Sequence, residues 1–156
     1  MSTGWPLKRL AGGLLLLVLA AACSDDDGPY LEFAGGGFIY NYRLATADYG
    51  FVVKVLRPLP EAAILRAEFE NPAGGAPLVV EHKARWGRLQ YSFRTPPVHG
   101  LRAGHDYRVD LQIVDPHEAR VLARYRKSFH AEVDQSILPA APTVIGPGHQ
   151  PALQSQ

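Results

Sequence analysis

Between Tyr30 and about Val133 apolar and polar residues alternate with a period of two, in short runs separated by turn-forming residues. In Phe38 to Ala45, the residues Phe38, Tyr40, Tyr42 and Leu44 share one face and Ile39, Asn41 and Arg43 the other. Phe51 to Leu56 is apolar on both faces apart from Lys54, as expected of a strand covered on both sides. Ile64 to Glu70 sets Leu65, Ala67 and Phe69 against Arg66, Glu68 and Glu70, and Leu78 to Lys83 is a shorter run. Arg88 to Arg94 directs Leu89, Tyr91 and Phe93 one way. Asp106 to Val114 does the same with Tyr107, Val109, Leu111 and Ile113, and Arg120 to His130 with Val121, Ala123, Tyr125 and Phe129. No segment of this region sustains a helical period.

The connections fit these strands. Prolines lack the N–H that a ladder needs, so Arg57-Pro58-Leu59-Pro60 predicts a crossing between sheets. Asn71 to Pro77 predicts a turn, and Asp115-Pro116-His117-Glu118 the tip of a hairpin. Seven or so short strands with frequent turn signals predict an all-β fold, an antiparallel sandwich over residues 30–133. After Asp134 the chain turns proline-rich and nearly uncharged. Residues 134–156 are expected to be a partly disordered tail, unless Thr143-Val144-Ile145 lies along a sheet edge.

One motif narrows the fold class. Leu101, Gly104 and Tyr107, spaced by three, resemble the tyrosine corner of immunoglobulin-like and fibronectin-III-like domains. The resemblance implies that the Tyr107 ring packs in the core while its hydroxyl bonds back to the corner. It makes Asp106–Val114 the penultimate strand and Arg120–His130 the last. Val109 stands where antibody domains have a cysteine, and Ile64–Glu70 lacks a tryptophan, so the likeness is not to antibody domains. It carries no function of its own, since such sandwiches host many unrelated activities.

The N-terminus has a different pattern. Lys8 and Arg9 precede an uncharged, leucine-rich run from Leu10 to Ala22, and three alanines lead into Cys23, the sole cysteine. That order of basic, apolar and small residues is a secretory signal, expected over residues 1–22. A helix of 13 residues rises about 20 Å, short of the roughly 30 Å of a bilayer core. Leu19-Ala20-Ala21-Ala22-Cys23 resembles the lipobox of bacterial lipoproteins, although that family most often has leucine at the place of Ala20. The resemblance implies that the Cys23 thiol takes a diacylglycerol, that cleavage follows before Cys23, and that the new amino group is acylated, commonly with palmitate. Two other readings stay open: an ordinary signal peptide cleaved near Ala22 with Cys23 a free thiol, and an uncleaved anchor. Ser24 follows the cysteine and Asp25 to Asp27 come one place later. In the lipoproteins of Gram-negative bacteria this favours the outer membrane, facing the periplasm, with residues 23–29 a lipidated tether.

Removing residues 1–22 leaves 134 residues, one domain's worth, with fourteen basic residues against fifteen acidic. That balance argues against a nucleic-acid binder. With Cys23 lipidated no cysteine remains for a disulfide or thiolate metal site. His82, His99, His105, His117, His130 and His149 fall in no metal-ligand spacing, and there is no Gly-x-Ser-x-Gly elbow. Gly35-Gly36-Gly37 lacks the lysine of a phosphate loop and is expected to bend the chain between a short edge strand and the next.

Neither a catalytic set nor a cofactor or metal site is expected. Arg85, Trp86 and Arg88 form a candidate contact patch, because tryptophan and arginine are favoured at interface centres; a solvated strand face with a partly packed turn tryptophan reads the same residues. The expected function is a non-catalytic interaction or assembly module for a protein partner in the cell envelope. The alternative is a small-ligand or glycan binder using exposed aromatics such as Tyr49 or Trp86.

Overall fold

A computed structural model describes residues 28–143 together with Met1. The signal segment, Cys23, most of the tether and the tail from Val144 onward lie outside the described residues. The described chain forms seven strands: β1 Leu31–Asn41, β2 Thr46–Val55, β3 Ile64–Phe69, β4 Leu78–Lys83, β5 Gln90–Arg94, β6 Asp106–Asp115 and β7 Arg120–His130. They make two antiparallel sheets, ordered β1-β2-β5 and β4-β3-β6-β7. The sheets meet face to face. Tyr49 and Phe51 of β2 pack on Phe69 of β3 with ring centres 5.2 and 5.5 Å apart, and Phe38 of β1 packs edge-on to Tyr107 of β6 at 5.6 Å.

In the four-stranded sheet the inward positions are those of the alternation: Leu65, Ala67 and Phe69 from β3, and Tyr107, Val109, Leu111 and Ile113 from β6, all buried. The Arg57–Pro60 segment carries the chain from β2 in one sheet to β3 in the other, and the β6–β7 hairpin closes on the Asp115–Arg120 pair.

The first sheet departs from expectation in four places, the first being that β2 begins at Thr46 rather than Phe51. β1 ends at Asn41 rather than Ala45, because the Asn41 carboxamide oxygen accepts the N–H groups of Arg43 and Leu44, both at 3.1 Å, and turns the chain. Tyr42 and Leu44 are therefore exposed in the turn. The three glycines do not bend the chain between strands. They lie inside β1, paired with Val52, Phe51 and Gly50, one residue past a register shift between Phe33 and Gly35. Glycine suits Gly36 because a Cβ there would lie 2.5 Å from the Phe129 ring and 2.6 Å from the Gly50 carbonyl oxygen. Finally, Leu89 precedes β5 and is exposed, although it continues the alternation of Tyr91 and Phe93. No facing strand extends far enough to cover it.

Strand directions give the domain two distinct ends. At one lie the start of β1, the β2–β3 and β4–β5 connections and the β6–β7 hairpin. At the other lie the β1–β2 turn, the β3–β4 and β5–β6 connections and the exit from β7. The start of the tail belongs to this second end. Gln135 donates from Nε2 to the Val98 carbonyl at 2.9 Å, and the Thr143 N–H donates to the Arg43 carbonyl at 2.9 Å.

Candidate functional site

The β2–β3 and β4–β5 connections run side by side, tied by bonds from Val55 N–H to the Leu89 carbonyl at 2.8 Å and from Ala84 N–H to the Ala63 carbonyl at 2.7 Å. Neither can close over the other. The first carries Pro58 and Pro60, which offer no N–H, and closes in a turn at Pro60–Ala63 with Ala62 at a φ of 61°; the second turns at Arg85–Arg88 with Gly87 at a φ of 73°. Between them lies an open groove of about 860 Å³ lined by Val55–Ala62 and Ala84–Leu89.

Its rim is apolar and unusually exposed. Trp86 shows 101% of its reference area, Leu89 76% and Leu56 50%. Single exposed apolar residues are ordinary; here three of them, with two exposed arginines, line one concavity. The reading of Trp86 as a partly packed turn residue is thereby corrected: it projects into solvent because the turn ends before reaching the core.

Arg85, Trp86 and Arg88, the candidate patch, lie together on this rim. Arg88 is held by a bond from Nε to the Gln90 carbonyl at 2.9 Å, with its guanidinium 4.8 Å from the Tyr91 ring centre. The arginines of the sheet faces are engaged differently. Arg66 pairs with Glu68 and Glu81, Arg126 with Asp110 at 2.6 Å, and Arg94 with the buried Asp48 carboxylate. Arg85 and Arg88 have no ion pair with a described carboxylate.

Tyr49 is not available to a ligand. It is fully buried at the centre of the sheet interface, and its hydroxyl donates to the Glu70 carbonyl. Burial foremost, then the nearby Glu70 and Tyr107, holds its phenol well above the usual tyrosine range. Reading the alternation two residues further back from Phe51 places it inward.

Leu101 and Tyr107 are buried at the opposite end of the domain. The Arg102 N–H donates to the Tyr107 hydroxyl at 2.9 Å, five residues back along the chain, while Gly104 takes a φ of 75°. The corner residues thus support packing and lie at the far end from the groove.

That far end also brings together two histidine–carboxylate pairs that no local spacing reveals. His105 Nε2 is 2.8 Å from Glu70, and His130 Nδ1 is 2.8 Å from Asp106. The described residues hold no group of three or more metal-ligating side chains. Burial raises the Glu70 carboxyl, but the His105 ring and the Arg108 N–H together outweigh it and hold the group below its ordinary value of 4.5. A depressed carboxylate stabilises the fold above its unfolded value and loses that contribution as pH falls through the folded one. The thermal midpoint is therefore expected to fall on acidification below about pH 4.5, and Glu70→Gln to flatten part of that decline. An E70Q variant that follows the wild-type acid limb throughout, by circular dichroism melts, refutes the contribution.

No family model matches this chain, and no curated protein or solved structure matches it.

Proposed function

We propose that the chain is a lipid-anchored bacterial envelope protein acting as a non-catalytic interaction module. Cys23 carries the acyl chains, the outer membrane holds them, and the domain faces the periplasm. The β1-β2-β5 and β4-β3-β6-β7 strand order supports an immunoglobulin-like, fibronectin-III-like assignment. So does the bond from Arg102 N–H to the Tyr107 hydroxyl.

One observation carries the reading. The chain enters the domain at one end, where Tyr30 bonds Leu56, and leaves β7 at the other, where the tail crosses the β1–β2 turn. An anchored chain with that polarity presents three connections and a proline-rich segment away from the membrane, where a protein partner meets them. The carboxylates and histidines gathered there are surface pairs that fix loops, which suits recognition rather than turnover.

Co-purification from envelopes solubilised in mild detergent tests the proposal. A defined partner whose recovery depends on the 42–45, 70–77 or 95–105 connections is expected. A protein that stays solitary after in-cell cross-linking overturns it. The groove favours a second reading, a small-ligand or glycan binder, since its size falls within the usual range for ligand sites. A thermal-shift panel with periplasmic sugars and peptides distinguishes the two.

A further inference from the structure

We infer that the groove end of the domain seats on the bilayer that holds the anchor, with Trp86, Leu89 and Leu56 entering the headgroup region and Arg85 and Arg88 meeting lipid phosphates. This inference rests on the lipidation of Cys23. It goes further by assigning the domain an orientation and the groove an occupant.

Three observations lead there. The first is where the chain comes from. The Leu56 N–H donates to the Tyr30 carbonyl at 2.9 Å, so the segment descending from Cys23 joins the domain beside a groove residue. Arg57, also in the groove wall, lies over the Tyr30 ring at 3.4 Å and fixes that junction. Seven peptide steps separate Cys23 from Tyr30, which extend to about 25 Å at most. β1 and β7, at 11 residues each, run about 35 Å. The tether is therefore shorter than the domain, and the groove end stays nearest the lipid.

The second is the chemistry of the rim. A fully exposed tryptophan beside two exposed leucines is costly to hydrate and suited to the interface, where an indole keeps its body among acyl chains and its N–H among headgroups. An ordinary ligand platform would have its aromatic ring laid against a wall, but Trp86 stands clear of the protein.

The third is charge. Arg85 and Arg88 stand on the groove rim and are not in ion pairs with described carboxylates. The periplasmic leaflet presents phosphates, and guanidinium groups bind phosphate with two donors at once. The acidic tether supplies no such attraction, so the contact falls to the domain. At the same end the β6–β7 hairpin carries Asp115 and Glu118, with Glu118 paired to Arg120 at 3.2 Å. That corner lies on the β7 side, where the Tyr30 N–H also donates to the Tyr125 hydroxyl at 3.0 Å, so the tether enters between the hairpin and the groove and the apolar rim sets the tilt toward the groove.

Tryptophan fluorescence of the intact, lipidated protein tests this. The chain has two tryptophans, and processing at Cys23 removes Trp5, leaving Trp86 as the sole reporter. The protein is reconstituted into vesicles of phosphatidylethanolamine and phosphatidylglycerol, with and without bromine on the acyl chains. Intact mass reads the lipid on Cys23 independently. Expected is a blue-shifted emission that loses most of its intensity to brominated lipid, and recovery of a solvent-like spectrum when Arg85→Glu and Arg88→Glu are combined on a lipidated chain. A lipidated protein whose Trp86 emission is unquenched overturns the seating alone and returns the groove to a peptide or glycan. A mass without lipid overturns the anchor, and the seating with it.

Discussion

Replacing Gly50 with alanine is expected to unfold the domain or bring it close to unfolding. Gly50 lies in the middle of β2, opposite Gly37 on one side and Arg94 on the other. A Cβ built there would sit 2.2 Å from the Phe93 carbonyl oxygen and 3.0 Å from the Arg94 Cα. Both obstacles are backbone, so no rotamer change relieves them, and β2 and β5 must separate where Gly50 faces Arg94. Overpacking a core costs about 1–3 kcal/mol when side chains can adjust, and this site offers no such adjustment. Total stabilities are typically about 5–15 kcal/mol. At roughly 4–8 °C per kcal/mol for a domain near 100 residues, the melting midpoint should fall by 10 °C or more.

Gly35→Ala provides the comparison. Nothing lies within 4 Å of its would-be Cβ and its φ is not in the left-handed region. That change should stay within about 0.5 kcal/mol of the parent or gain slightly from a stiffer unfolded chain. Thermal melts of both variants decide the matter: equal midpoints would show that β2 and β5 do not approach as closely as described.

Gly50 also shows where legibility stops. Its neighbour across the sheet lies more than forty residues away, so nothing local marks it as special. The strands most legible in the sequence are those in which alternation is bounded by clear turn residues. Leu78–Lys83 and Arg120–His130 match the observed bounds, and β3 and β6 differ by a residue. β1 is harder because Gly35 to Gly37 have no side chains to alternate, and the Phe129 ring that packs over Gly36 comes from the last strand. In the candidate site the residue types were legible and the shape was not. Arg85, Trp86 and Arg88 stand out by composition, but Leu56 and Leu89 join them only because two crossings from opposite sheets run together. Glu70 and His105 meet across 35 residues for the same reason, through strand order rather than spacing.

The polarity of the fold connects these points to the anchor. Seven strands running alternately up and down put entry and exit at opposite ends. Whatever holds the N-terminus therefore decides which loops face the holding surface and which face away from it. An outward-facing arrangement needs the tether to be both short and firmly held, which makes the chemistry at residue 23 decisive for the rest.

Changing Cys23 to alanine is expected to abolish lipid attachment and leave a precursor that retains residues 1–22, while the domain stays as stable as before. In the proposed lipidation the thiolate is the nucleophile that takes the diacylglycerol, and alanine has none to offer. Each buried CH₂ contributes about 0.8 kcal/mol, so a single chain binds a membrane marginally and two or three hold it firmly. On that proposal the lipid supplies the holding free energy, because an apolar run of 13 residues is too short to span by itself. Stability should not change, because Cys23 is the sole cysteine and no disulfide is lost. Palmitate labelling, intact mass and a thermal melt on the same preparation separate the effects. Lost label and a heavier polypeptide with an unchanged midpoint are expected. Processing and membrane retention that persist in C23A would refute lipidation at this residue and, with it, the orientation of the groove.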